Sequence, residues 1–296
     1  MAKDKLTEYD ATAANNTVVG DVNLAENSAL PSDMNNAVRE VMSHLKEFAT
    51  GAESISGLTV AGNVSVDGGT IKLDGNYPTG SGNVALGNTA LDDGSLSGAN
   101  NTAVGSGAMT ANTSGAANTT CGSLALDANT TGDFNCAFGV NALSTNTTAD
   151  ANSAYGYQAL YSNSTGADNT SVGVNSLFAN TASNNTAVGK AALTANTTGT
   201  KNFAAGYNSG IGTTTGQNNT FVGADSGSSN TTASFNTYVG STDGTYGGAG
   251  GSTTGDRNTF IGNGAGSRVT TGYRNTILGR YNGNQDSLDI RTGSTY

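Results

Sequence analysis

Twelve glycines recur almost every 17 residues in this chain, and an asparagine stands four residues before each of them. The glycines are Gly87, Gly105, Gly122, Gly139, Gly156, Gly173, Gly189, Gly206, Gly223, Gly240, Gly262 and Gly279. Successive steps are 18, 17, 17, 17, 17, 16, 17, 17, 17, 22 and 17 residues. The asparagines are Asn83, Asn101, Asn118, Asn135, Asn152, Asn169, Asn185, Asn202, Asn219, Asn236, Asn258 and Asn275. A fixed period marks a repeat architecture, in which one unit cannot bury a face alone and a stack of units can.

The residue before each glycine is apolar, as in Val104, Cys121, Phe138, Tyr155, Val188 and Ile261. Four residues after it the first seven units carry Leu or Met, and the last five carry Gly210, Gly227, Gly244, Gly266 and Gly283. The array is therefore expected to change subtype near residue 205. The insertion over 246–255 accounts for the 22-residue step and is expected to bulge.

Gly, Asn and Thr recur in every window and are poor helix formers. Short β-branched segments bounded by Gly and Asn read as strands with turns. The expected fold is mainly β: a parallel β-solenoid, or β-roll, over 83–283. Each coil would have two short strands and two corners, spaced ~4.8 Å from the next. The asparagine amides are expected to bond from coil to coil, and the pre-glycine residues to form a thin apolar column. Val188→Asp would then place a charge in that column.

Composition makes the core thin. The 296 residues include 43 Gly and no Trp, and 11% are charged. Burying a few modest side chains per coil weakly offsets the entropy of fixing ~17 residues. Packing several chains around an axis buries a further face, and a homotrimer is the expected solution.

Net charge is −10, which argues against nucleic-acid binding. Residues 1–244 hold 7 Lys/Arg against 19 Asp/Glu, whereas 245–296 hold 5 against 3. No apolar run approaches the ~18 residues of a membrane span, so no membrane insertion is expected. The first residues lack the apolar segment of a secretory signal. Cys121 and Cys136 make no disulfide framework, consistent with synthesis in a reducing cytoplasm.

Residues 1–30 read as polar and irregular. Residues 31–50 read as a helix, with Pro31 ahead, Ser32 or Asp33 near the N-cap and Gly51 beyond. Met34, Val38, Val41, Leu45 and Phe48 are spaced 4, 3, 4, 3. That stripe suits either a coiled-coil seam or an amphipathic helix on a neighbouring domain. Residues 51–82 read as a connector of short strands.

No catalytic constellation emerges, and no cofactor or metal site is expected. His44 is the only histidine and lacks partners for a triad or a metal. Asp92 and Asp93 are adjacent and read as a solvated corner rather than a glycosidase pair. Cys121 replaces Val at the pre-glycine position and reads as core packing. Tyr273, Arg274, Arg280, Tyr281 and Arg291 cluster near the C-terminus. Arg and Tyr are common anchors at recognition surfaces, which makes these the candidate receptor contacts.

The "NTAVG" units resemble the head repeats of trimeric β-roll adhesins, although a 17-residue coil is longer than those. The front end, "ALPSDMNNAVREVMSHLKEFATG", resembles the N-terminal region of bacteriophage tail fibres, especially of T7-like phages of marine bacteria. "GLTVAGNVSVDGGTIKLDGNYP" and "RNTILGRYNGNQDSLDIRTGS" are similar to phrases in such fibres. The resemblance implies a homotrimeric, non-enzymatic fibre of the virion tail, made in the host cytoplasm. Residues 1–30 would attach to tail, adaptor or nozzle proteins. The distal segment 284–296 would face a host glycan or surface protein. One rival reading is the passenger of a bacterial trimeric surface adhesin. Another is an ice-binding solenoid, because Thr recurs at 102, 119, 170, 186, 220, 237, 259 and 276.

Overall fold

The computed structural model describes residues 18–19, 22–23, 81–242, 248–251, 254–280, 284–285 and 288–289. The chain divides into two compact units, Met1–Ile71 and Lys72–Tyr296. In the first, β1 (Val18–Val19) and β2 (Val22–Asn23) form a short antiparallel pair, within a stretch expected to be irregular. The expected helix with Met34, Val38, Val41, Leu45 and Phe48, and the connector strands over 57–78, lie outside the described residues.

The second unit is built on one parallel sheet of twelve strands. They are β3 (Val84–Leu86), β4 (Thr102–Val104), β5 (Thr119–Cys121), β6 (Cys136–Phe138), β7 (Ser153–Tyr155) and β8 (Thr170–Val172). β9 (Thr186–Val188), β10 (Phe203–Ala205), β11 (Thr220–Val222), β12 (Thr237–Val239), β13 (Thr259–Ile261) and β14 (Thr276–Leu278) continue the order. β15 (Asn284–Gln285) and β16 (Leu288–Asp289) make a separate antiparallel pair. Within the sheet each strand pairs with its sequence neighbours in register, Thr119 with Cys136 and Cys136 with Ser153. The array is a parallel β-solenoid, and no helix occurs among its described residues. Eleven steps at ~4.8 Å make a stack of about 50 Å.

Each coil forms one strand, not the two expected from sequence. Its other side is made of turns, because residues two and four after the glycine take left-handed conformations: φ is 53° at both Gln158 and Leu160. A strand needs φ near −120°. The turn side still has a ladder of its own. Leu143 N–H donates to Ala159 O at 2.9 Å, Leu160 N–H to Ser176 O at 3.1 Å and Leu177 N–H to Ala192 O at 3.0 Å. Backbone groups are thus satisfied from coil to coil without strand geometry.

The two-residue period of the strand decides what faces inward. In β7, Ala154 is buried while Ser153 and Tyr155 face out. The core of that coil is Ala154, Ala159 and Leu160. The pre-glycine residues, expected to form the core, sit one residue from the buried position and so face the other way. Tyr155, Val172 and Val188 expose 41%, 38% and 42% of their surface. Cys121, read from sequence as core packing, is exposed for the same reason.

The glycine closing each of the strands β3 to β13 is required by both φ and space. Gly105 has φ 138°, and a Cβ there would stand 2.4 Å from the Gly122 carbonyl oxygen of the next coil.

The expected change of subtype is a change of core. In the first seven coils a strand centre such as Ala103, Thr120 or Ala154 faces Met109, Leu126 or Leu160. In later coils Phe221, Tyr238 and Phe260 fill the strand centre, opposite Gly227, Gly250 and Gly266. A Cβ on Gly227 would lie 2.4 Å from the Phe221 ring, and one on Gly250 would lie 2.1 Å from the Tyr238 ring. The Tyr238 and Phe260 rings stack at 5.1 Å. Between the two kinds lies the coil of Ala204 and Gly210. Phe221 leans into its space, 2.6 Å from where a Gly210 Cβ would be.

The long step also resolves differently. Gly250, not Gly244, takes the place of Gly227 and Gly266: Gly227 N–H donates to Ala249 O, and Gly250 N–H to Ala265 O, both at 2.8 Å. Residues 248–251 and Thr254, part of the expected bulge over 246–255, therefore belong to the regular coil. Residues 243–247, and Gly283 at the end of the array, lie outside the described residues.

Candidate interaction surfaces

The asparagines four residues before each glycine are buried structural parts and so leave the binding surfaces to other residues. Each side-chain oxygen accepts the backbone N–H of the next asparagine in the column, as Asn152 Oδ1 accepts from Asn169. All eleven steps from Asn83 to Asn275 are made, at 2.8–3.0 Å. The amide nitrogen turns to its own coil: Asn152 Nδ2 donates to Gly166 O at 2.9 Å. The expected amide-to-amide ladder is thus mainly a side-chain-to-backbone ladder in this column.

An amide-to-amide ladder exists in a second column that sequence reading missed, seven residues after the glycine. Asn129 Nδ2 donates to Asn112 Oδ1, and Asn146 Nδ2 to Asn129 Oδ1, both at 2.8 Å. Asn196 Nδ2 reaches Asn180 Oδ1 at 2.7 Å. Asn112 and Asn101 both donate to Gly115 O, so the two columns meet at one carbonyl. The signal was present in the recurrent Asn-Thr seven residues past the glycine. Thr213 interrupts this column, and Leu96 and Val269 are buried at its two ends.

The outward face of the twelve-stranded sheet is the largest regular surface. Two side chains per strand point out, a Thr-type column and the pre-glycine column. None of these positions in β3–β14 carries a charge. Phe138 and Tyr155 stack at 5.2 Å across adjacent strands. Cys136 Sγ lies 3.1 Å from Tyr155 Oη. That hydrogen bond first, then burial and the Cys136 charge, hold the Tyr155 phenol above its usual titration range. In the middle of the array the residue after the glycine is apolar too, except at Lys190: Val140, Tyr157, Val174 and Tyr207 are all more than 40% exposed. Lys190 Nζ sits 6.0 Å from the Tyr207 ring centre. The Thr column does face out, but Cys136, Ser153 and the exposed Phe203 interrupt it.

The structure brings only part of the expected receptor cluster together. Tyr273 and Arg274 lie on the corner just before β14, with the Arg274 guanidinium 5.9 Å from the Tyr273 ring centre. Arg257 occupies the corresponding corner one coil earlier and lies 5.1 Å over Phe235. Sequence reading did not place Arg257 and Phe235 in this group; their shared position one residue before a repeat asparagine is the signal. Arg280 follows Gly279, at the other end of β14. Tyr281 and Arg291 lie outside the described residues, as does His44.

Asp93 does not form an acid pair with Asp92. Its carboxylate accepts the hydroxyl and the backbone N–H of Ser95, closing a local turn in the first coil. Those two bonds hold its titration below the ordinary value of 3.8. Cys121 and Cys136 are both free thiols on the outward sheet face. Among the described residues no group of three His, Cys, Asp or Glu is placed to hold a metal ion.

No family model, no curated protein and no solved structure matches this chain.

Proposed function

We propose that this protein is a structural, non-catalytic fibre of a bacteriophage tail. In this reading three copies assemble, and residues 1–30 with the helix over 31–50 join them to tail, adaptor or nozzle proteins. The solenoid acts as a stiff spacer. The C-terminal end, with Tyr273, Arg274 and the adjoining Arg257, meets a glycan or protein on the host surface.

The observation that carries this reading is the unbroken register of twelve coils. Every strand pairs with the next, and every repeat asparagine holds the following backbone N–H. A stack of this kind resists bending because each coil is fixed to two neighbours, which suits reach more than turnover. Three-fold repetition of a weak end contact would supply avidity. The resemblance of the front end to tail fibres supplies the virion.

The test is competition. Purified full-length protein added to a susceptible bacterium is expected to lower phage adsorption in a dose-dependent way. A folded, multimeric preparation without that effect would contradict host contact. The ice-binding rival is weaker because an exposed Phe203 interrupts the Thr column. A thermal-hysteresis measurement that detected activity would revive it.

A further inference from the structure

The two outward strand columns of the sheet carry no charge along their whole length, in a chain whose net charge is −10; in the adjoining column after the glycines, Lys190 and Arg280 are the charged residues. Exposed surfaces usually carry roughly a quarter to a third of charged residues. The apolar content of the face is greatest at the centre. Phe138, Tyr155, Tyr157, Val172, Val174 and Val188 lie on four successive coils there, and four of the six are more than 40% exposed. Toward either end the residue after the glycine becomes Asn88, Ser106 and Ser123, or Ala224, Ser241 and Asn263.

All-parallel sheets are almost always covered on both faces. Here the turns of the same coil cover one face and leave the other open. Five residues per rung and twelve rungs give a face of about 17 by 55 Å, roughly 900 Å². A stable interface needs about 800 Å² from each partner. Copies with a net negative charge repel one another, whereas this face carries no acidic side chain, its only charges being Lys190 and Arg280.

We infer that a second copy of this chain seats on the outward sheet face, centred on the coils of β6 to β9. The inference rests on the self-assembly proposed above and adds the surface through which it occurs. Both a two-fold and a three-fold axis along this face bring residues near its centre close to their own equivalents. Val172, in β8, is such a residue.

The experiment uses the full chain with Cys121→Ser and Cys136→Ser. Single cysteines are introduced by Val172→Cys or Val188→Cys on the face, and by Thr148→Cys on an exposed corner away from it. All three sites tolerate a small polarisable side chain because none is buried. After mild oxidation, at least one of the face cysteines is expected to give a covalent two-chain species in more than half of the material. Thr148→Cys is expected to give less than a tenth of that. Native mass is measured on each sample. A multimer that cross-links only through Thr148→Cys, equally through all three, or through none, would overturn the assigned face and leave self-assembly standing. A single-chain mass for the unmodified protein would overturn both.

Discussion

The two parts of the solenoid fill the same thin space by opposite means. In the first seven coils the strand centre is small and the turn residue is large, as in Ala154 with Leu160. In the later coils the strand centre is aromatic and the turn residue is glycine, as in Phe221 with Gly227. The turn residue has positive φ in both, 53° at Leu160 and 64° at Gly227. The early coils therefore hold a leucine in a conformation that costs a side-chain-bearing residue ~1–3 kcal/mol, whereas the later coils use the residue that adopts it freely. The comparison teaches that volume per coil is fixed while its source is not.

Gly227→Leu alone breaks the later arrangement most severely. The new side chain meets the Phe221 ring and takes an unfavourable φ, so a loss of about 3–5 kcal/mol is expected in a denaturant titration. Adding Phe221→Ala converts the coil to the early type and is expected to recover about 2 kcal/mol or more, a favourable coupling between the sites. Strict additivity of the two changes would refute the exchange of volume.

Leu160→Gly is the reverse probe in an early coil. It relieves the strained turn but empties the core opposite Ala154. A net loss of about 2–4 kcal/mol is expected from the cavity, visible as a lower melting temperature. An unchanged melting temperature would show that early coils do not depend on that side chain.

Asn146→Ala tests the second amide column, which is nearly continuous in the early coils and interrupted at Thr213. Asn129 Oδ1 and the Ala149 carbonyl would lose a donor. A loss of about 1–3 kcal/mol is expected. Hydrogen exchange at neighbouring amides should report it locally.

Val188→Asp is expected to change the stability of a single chain by no more than about 0.5 kcal/mol, since the side chain faces solvent. Its effect belongs to assembly: the native mass should fall while circular dichroism is preserved.

The smallest effect is expected from Asp93→Ala, which removes the turn around Ser95 and leaves the rest of the stack untouched. The folded carboxylate titrates below its unfolded value. Its contribution is therefore present at neutral pH and is lost as pH falls through the depressed value. Wild-type and variant should differ in exchange protection of the first coil at pH 7 and converge in strong acid.

Much of this was legible in the sequence. Asn152, Gly156 and their equivalents fixed the coil length, the strand order and the register, because the same chemistry must recur wherever one coil meets the next. The switch from Leu193 to Gly210 announced the second core. What failed was orientation. Val188 and Cys121 are apolar and regular, which suggested burial, but a repeat gives the period of a column without saying which side of a three-residue strand it occupies. Ala154 and Ala187, small and easily overlooked, hold the inward positions. The 22-residue step misled for a related reason: Gly244 and Gly250 are chemically equal, and only the hydrogen bonds of Ala249 and Gly250 distinguish them. Tyr273 and Arg274 were placed together by proximity in sequence, whereas Arg257 joins them through the stacking of coils.

Both parts of the array leave the same sheet face open, without charge in its two strand columns, and the account holds that other copies cover it. Sedimentation equilibrium of the full-length protein tests this most directly. The account predicts a particle heavier than one 29.4 kDa chain, and about three times that mass for the proposed trimer. A stable, correctly folded particle of 29.4 kDa would contradict it.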